Sequence, residues 1–253
     1  MRRIVLSAIA ALSLGAGSAV AAEATRPLPE TAWTFDGPFG HFEESALKRG
    51  FTVYRNVCAS CHGLEGLAYR NLSGIGMDEN AIAEVAAEHE IEDGPNDEGD
   101  LYMRPARASD RMVPPFPNQQ AARAANNGAY PPDLTLIVKA RKGGANYLYG
   151  LLVGYEDEPP AGVELGDGMY YNTYFPGHQI AMPPPLSEGA VDFEDGTPAT
   201  IEQMAHDVST FLAWAASPEL EARKRLGLKV LIFLVVLTGM LYALKRQVWS
   251  KLH

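Results

Sequence analysis

Apolar residues recur along this chain at helical spacing. From Glu44, the positions Leu47, Phe51, Tyr54 and Val57 step by four, three and three, which places them on one stripe of a helix leading into Cys58. The same spacing predicts a helix from Asn80 to Glu88 around Ile82 and Val85. A third runs from Asn118, an N-cap residue type, to the stop at Asn127-Gly128. Pro131-Pro132-Asp133 reads as a rigid lead-in, with Asp133 capping a helix through Leu134, Ile137 and Val138 that Gly143-Gly144 ends. A short helix from Asn146 to Val153 follows. Thr200 and Gln203 form a capping-box pattern ahead of Ile201, Met204, Val208, Phe211, Leu212 and Ala215, and Ser217-Pro218 ends that helix and opens the next. No strand alternation is sustained, so the expected fold is mainly α with long loops. The stretch from about Gly154 to Gly196, rich in Pro, Gly and Tyr, is too long for a passive connector and is expected to carry function.

Two apolar segments set the expected topology. Arg2 and Arg3, the apolar run Ile4 to Gly17 and the triplet Ala19-Val20-Ala21 predict a secretory signal over 1–21. Leu226 to Leu244 is 19 residues with one charge, Lys229, flanked by Arg223, Lys224 and Arg225 before it and Lys245, Arg246 and Lys251 after it. That length and those basic flanks predict a membrane-spanning helix. The basic residues are too evenly split to orient the span, so the export signal decides. Residues 22–222 are expected outside the cytoplasm, 223–246 as the anchor and 247–253 as a cytoplasmic tail, making a single-pass membrane protein.

Composition narrows the function classes. The 253 residues are 47% apolar and 21% charged, which excludes a disordered chain, and the net charge of -10 argues against nucleic-acid binding. Residues 22–222 hold all 31 acids and 12 of the 21 bases, so the exported part stands at -19 and steers cationic partners. Two cysteines exclude a multi-disulfide scaffold and any four-cysteine metal site from this chain alone.

Those two cysteines carry the strongest chemical signal, Cys58-Ala59-Ser60-Cys61-His62, the C-x-x-C-H pattern of covalent c-type haem attachment. Cysteines at i and i+3 share a helical face from which each can form a thioether with a haem vinyl group, and the histidine at i+4 is presented beside them. A zinc site would need a second ligand pair and a redox dithiol a βαβ setting, neither of which is visible; a plain Cys58–Cys61 disulfide stays open. One motif predicts one haem. A low-spin electron carrier needs a sixth ligand. Met182, stiffened by Pro183-Pro184-Pro185, is the first candidate and His178 the runner-up; Met204 sits on an apolar helical stripe, and Met77, Met103, Met112 and Met169 have no special setting.

Several separated blocks extend this signal: Arg49-Gly50-Phe51 before Val57 to His62, Ala124 to Leu134 (AANNGAYPPDL), Tyr174-Phe175-Pro176-Gly177, Ala181-Met182-Pro183, Asp195 to Thr200 (DGTPAT) and Arg223-Lys224-Arg225. On these the chain resembles the cytochrome c1 family, the haem subunits of ubiquinol–cytochrome c oxidoreductase, of bacterial type. The resemblance implies one haem c held covalently by Cys58 and Cys61, axial ligation by His62 and Met182, and a propionate paired with Arg141. It implies a pocket lined by Asn126, Pro131, Pro132, Tyr147 and Phe175. Some bacterial relatives brace the loop before the methionine with an extra cysteine pair that this chain lacks, so its rigidity is expected from packing and proline.

The implied task is one-electron transfer within the complex, with cytochrome b as a neighbour, the Rieske iron–sulfur protein as donor and soluble cytochrome c as acceptor. No constellation for bond-making catalysis is found. Ten acids and no Lys or Arg lie between Asn71 and Met103, and they are expected to guide a basic partner toward the haem edge. The alternatives are an independent membrane-tethered shuttle, the cytochrome subunit of another periplasmic dehydrogenase, and a haem sensor with an open sixth position.

Overall fold

The computed structural model describes residues 26–250; the predicted signal over 1–21 and the last three residues of the predicted tail lie outside that range. Its helices are α1 Glu44–Asn56, α2 Glu79–Ala87, α3 Gln119–Ala125, α4 Ile137–Ala140, α5 Gly144–Val153, α6 Ile201–Ala216 and α7 Leu220–Trp249. Two antiparallel hairpins interrupt them: β1 Glu90–Asp93 with β2 Tyr102–Pro105, and β3 Tyr170–Tyr171 with β4 Gln179–Ile180. The mainly helical class expected from the periodicity is what forms.

The core is the crossing of α1 and α6. The predicted stripe of α1 is buried through Ala46, Leu47, Gly50, Phe51, Val53 and Tyr54, while α6 is buried almost continuously from Met204 to Ala216. Phe211 of α6 packs against Phe51 and Tyr54 at ring separations of 5.6 and 5.8 Å. Gly50 sets how closely the helices approach, since a Cβ there would lie 2.1 Å from the Asp207 carbonyl oxygen. The adjacent Arg49 donates to the fully buried Asp207 through Nε at 2.6 Å and to Asp195 through Nη1 at 2.7 Å; Gln203 and His206 also bond Asp207. Burial alone would raise the Asp207 carboxyl, but hydrogen bonds from His206, Arg49 and Gln203 outweigh it and hold the group below its ordinary range.

Several local expectations are revised. Gly143-Gly144 open α5 instead of closing the preceding helix, because both have positive φ (93° and 56°) and turn the chain into a new axis. Asp133 does not cap a helix at Leu134: its Oδ1 accepts from Thr135 N in a local turn, its Oδ2 accepts from Glu65 N, and α4 is a single turn starting at Ile137. Thr200 caps α6 as predicted, its Oγ1 accepting from Gln203 N at 3.1 Å, but the Gln203 side chain turns to Asp207 instead of completing the box. The hairpins escaped the periodicity because their strands are four and two residues long.

α7 follows α6 after a Ser217 turn and covers the predicted span. No residue along its 30 is buried, and its most apolar 18-residue window has a mean hydropathy of 2.2. At 1.5 Å per residue the 19-residue apolar run is about 28 Å long, close to the ~30 Å hydrocarbon core of a bilayer.

Replacing Arg49 by Met strands a buried carboxylate and is expected to cost about 3–5 kcal/mol of stability at neutral pH. Because the folded-state value of Asp207 is depressed, the stability it contributes is full above the ordinary carboxylate range and is lost as pH falls through the lowered value. Denaturant unfolding at stepped pH should therefore show the gap between wild type and variant narrowing below about pH 4.

Candidate functional site

The candidate residues fall into two halves, one at the end of α1 and one beyond the β3–β4 hairpin. Past Asn56 the chain tightens into a 3-10 turn over Cys58–Ser60, closed by Cys61 N to Cys58 O at 3.1 Å and His62 N to Cys58 O at 2.9 Å. Both cysteines are half-buried free thiols and not a disulfide. Burial, and then the neighbouring Cys61, push the Cys58 thiol up to about 12.

The imidazole of His62 is oriented by one bond. Its Nδ1 lies 2.7 Å from the carbonyl oxygen of Pro132. A carbonyl only accepts, so Nδ1 carries the proton and the Nε2 lone pair is left for a metal. Burial lowers the imidazole below its ordinary value, against the Pro132 bond and the Asp133 charge, which keeps it neutral at physiological pH. Tyr54, buried on α1, donates to His62 O at 3.0 Å. Pro132 is itself held by a zip between two loops: Leu134 N to Gly63 O at 2.9 Å, Glu65 N to Asp133 Oδ2 at 2.8 Å and Gly66 N to Thr135 Oγ1 at 3.0 Å. A Cβ on Gly66 would lie 2.3 Å from Thr135 Cγ2, so glycine is what allows the zip to close.

The second half carries Met182, half-buried two residues past β4. Tyr155 donates its hydroxyl to Met182 O at 3.0 Å. The hairpin is organised by Asn172, which has no exposed surface. Its Nδ2 donates to Leu151 O at 2.8 Å, its Oδ1 accepts from Tyr174 N and Phe175 N, and its backbone N donates to His178 O. Tyr155 and Asn172 also pair as a β-bridge, so Asn172 and Met182 are joined through one tyrosine. The runner-up His178 is engaged within the hairpin, its ring stacked on Tyr171 at 5.6 Å and its Nδ1 3.2 Å from Asn172 O.

Of the remaining residues singled out from sequence, Arg141 is exposed just past α4, and among the described residues no carboxylate lies in salt-bridge reach of it. It sits beside the buried Tyr147 hydroxyl. Phe175 and Pro131 are half-buried, while Pro132 is exposed and presents its carbonyl to His62. Asn126 ends α3 and spends its Nδ2 on Ala122 O at 2.7 Å. Among the described residues no group of three His, Cys, Asp or Glu could hold a bare metal ion. Two free thiols beside one imidazole with its Nε2 unspent, and a guanidinium without a carboxylate, suit covalently attached haem.

The chain matches the Cytochrome C1 family over residues 33–252. It is 48% identical to "Cytochrome c1" of Rhodospirillum rubrum, covering 98% of this chain and 97% of that protein. It is 50% identical to "Cytochrome c1, heme protein, mitochondrial" of Saccharomyces cerevisiae over 94% of this chain and 77% of that protein. Identity to "Cytochrome b/c1" of Bradyrhizobium diazoefficiens is 48% over 99% of this chain, which spans 40% of that longer protein.

Asn172 and Tyr155 were not singled out from sequence. The signal was an asparagine inside the aromatic run Tyr170 to Phe175, where a lone amide marks a turn that must satisfy backbone groups. Asn172→Ala orphans Leu151 O and the Tyr174 and Phe175 N–H groups and is expected to cost about 2–4 kcal/mol, given ~1–3 kcal/mol for each buried polar group left unpaired. Tyr155→Phe should cost about 1 kcal/mol. Limited proteolysis should cut Asn172→Ala within 170–182 well before wild type.

Proposed function

The chain belongs to the cytochrome c1 family, and from that premise we propose that it is the membrane-anchored mono-haem subunit of a cytochrome bc1 (ubiquinol–cytochrome c oxidoreductase) complex. It takes electrons from the Rieske iron–sulfur protein and passes them to a soluble cytochrome c, with cytochrome b as its membrane neighbour. Relatives named for cytochrome b/c1 and the cytochrome b-c1 complex support the assembly. The haem domain, 22–222, faces the periplasm and α7 anchors it in the inner membrane with the C-terminus cytoplasmic. The observation that carries the reading is the 2.7 Å contact from His62 Nδ1 to Pro132 O, which leaves Nε2 unspent beside two free thiols.

Haem c, when bound, supplies the one-electron couple. The rest of the chemistry is positioning. Cys58 and Cys61 would hold the group by thioethers, His62 Nε2 and Met182 Sδ would donate to its iron, and Arg141 would pair with a propionate. Asn126, Pro131, Pro132, Tyr147 and Phe175 line the pocket. Methionine ligation and a dry pocket both favour the reduced state and raise the potential.

Docking is electrostatic. Of the ten acids in the basic-free segment, Glu88 pairs with Arg55 and Asp93 with Arg104, while Asp78 caps α2. Glu79, Glu84, Glu90, Glu92, Asp97, Glu98 and Asp100 stay exposed and outside any ion pair among the described residues. Glu90 and Glu92 border a cleft of about 840 Å³ that shares Glu65 and Pro114 to Pro117 with a smaller pocket reaching Cys61. The acidic segment thus borders a cleft, lined also by Arg111 and the apolar Pro114 to Pro117 run, that adjoins the attachment turn with Glu65 between them, and a basic cytochrome c would meet it there.

Two outcomes are expected. Met182→Leu should abolish low-spin methionine ligation in the visible spectrum, open the reduced protein to carbon monoxide and lower the midpoint potential by more than about 0.1 V, within the ~0.8 V range that axial ligands command. An unaltered spectrum would move the ligand to His178. Neutralising Glu90, Glu92, Glu98 and Asp100 together should flatten the fall of turnover with ionic strength; an unchanged salt dependence would remove this face from docking.

A further inference from the structure

The segment before α1 forms a strap across the base of α7. Trp33, Phe35 and Phe42 are buried in the core, with Phe35 stacked on Trp33 at 5.4 Å and tilted against Phe42 at 5.0 Å. Trp33 Nε1 donates to Asn146 at 2.6 Å. The strap is tied to α7 at two points one turn apart: Phe42 N donates to Glu221 at 3.0 Å, and Lys224 Nζ donates to Phe35 O at 2.6 Å and Gly40 O at 3.1 Å. Between those carbonyls the chain makes a tight turn, Asp36-Gly37-Pro38-Phe39-Gly40. Gly37 has φ +68°, and a Cβ on Gly40 would lie 2.0 Å from Asp36 O. At its tip Phe39 is 79% exposed, more than Val235 in the middle of the apolar run at 72%.

The height of this tip relative to the bilayer follows from its ties. Leu226, where the apolar run begins, lies two residues beyond Lys224, about 3 Å along the helix axis. Each headgroup layer is about 5–7 Å thick, half the difference between a ~30 Å core and a ~40–45 Å bilayer. Gly40 is bonded to Lys224, and the Cα of Phe39 is about 3.8 Å from that of Gly40. Lys224 reaches Gly40 through its whole side chain, so the tip lies near the start of the apolar run, the level at which headgroups begin, on the same end of α7 that carries the exposed Arg225 and an Arg223 paired with Glu219 at 3.5 Å.

From these observations we infer that the 36–40 turn is an interfacial lipid contact, with Phe39 seated at the boundary between headgroups and acyl chains and Arg223 and Arg225 meeting anionic headgroups. An aromatic ring at that depth on a rigid turn, with basic neighbours, is the chemistry that a bilayer surface takes. Together with α7 it gives the haem domain a second point of contact with the membrane. The inference rests on α7 being the span.

The test uses the full haem-loaded chain, with Cys58 and Cys61 occupied, in vesicles of two parts phosphatidylcholine to one part phosphatidylglycerol. A nitroxide is placed by Phe39→Cys, Val235→Cys or Glu98→Cys, and its relaxation by oxygen is compared with that by a water-soluble nickel chelate. Oxygen should exceed nickel at least twofold at 39, as at 235, with the reverse at 98. Nickel dominance at 39 with oxygen dominance at 235 overturns the lipid contact alone. Shielding from both reagents at 39 also overturns it, in favour of a protein neighbour. Nickel dominance at 235 instead overturns the membrane reading of α7.

Discussion

One hydrogen bond organises the proposed site: the Nδ1–H of His62 donated to the carbonyl of Pro132 across 70 residues of chain. It selects the tautomer, fixes the ring and leaves one nitrogen available. Much of the surrounding structure serves to place its two ends. The α1–α6 crossing, closed at Gly50 and locked by Arg49 on Asp207, delivers the cysteine turn to a set position, and the zip between 63–66 and 133–135 brings Pro132 to meet it. Proline contributes twice there, by stiffening the acceptor segment and by removing an N–H that would otherwise need a partner.

The methionine half is braced by a different device. Without a second cysteine pair, the loop relies on Asn172, whose buried amide satisfies three backbone groups, and on Tyr155, which links that hub to Met182 O. The three prolines after Met182 limit the chain beyond the proposed ligand, but the cross-linking residues Tyr155 and Asn172 precede it. A buried amide network stiffens its surroundings when its atoms are partnered, and both the Oδ1 and the Nδ2 of Asn172 have partners here.

Periodicity revealed the helical core because α1 and α6 bury continuous stripes, and the spacing of Cys58, Cys61 and His62 made the attachment chemistry readable before any fold was known. Composition and length likewise exposed α7. What was not legible depends on contacts between distant segments. Asp133 looks like a helix cap in isolation, yet its second oxygen is committed to Glu65, 68 residues away. Gly143-Gly144 looks like a stop, yet with both residues at positive φ it opens α5, and Leu28 packs where a Cβ on Gly143 would stand. The hairpins are too short to alternate visibly, so Asn172 and Tyr155 could be recognised only once folding had brought Leu151, Met182 and His178 to them.

The proposed site is defined by which atoms donate to the iron. X-ray absorption at the iron edge of the purified haem-loaded chain measures this directly. Five nitrogen scatterers and one sulfur in the coordination shell are expected, the sulfur being that of Met182. A shell of six nitrogens, or one with five donors and no sulfur, would contradict it.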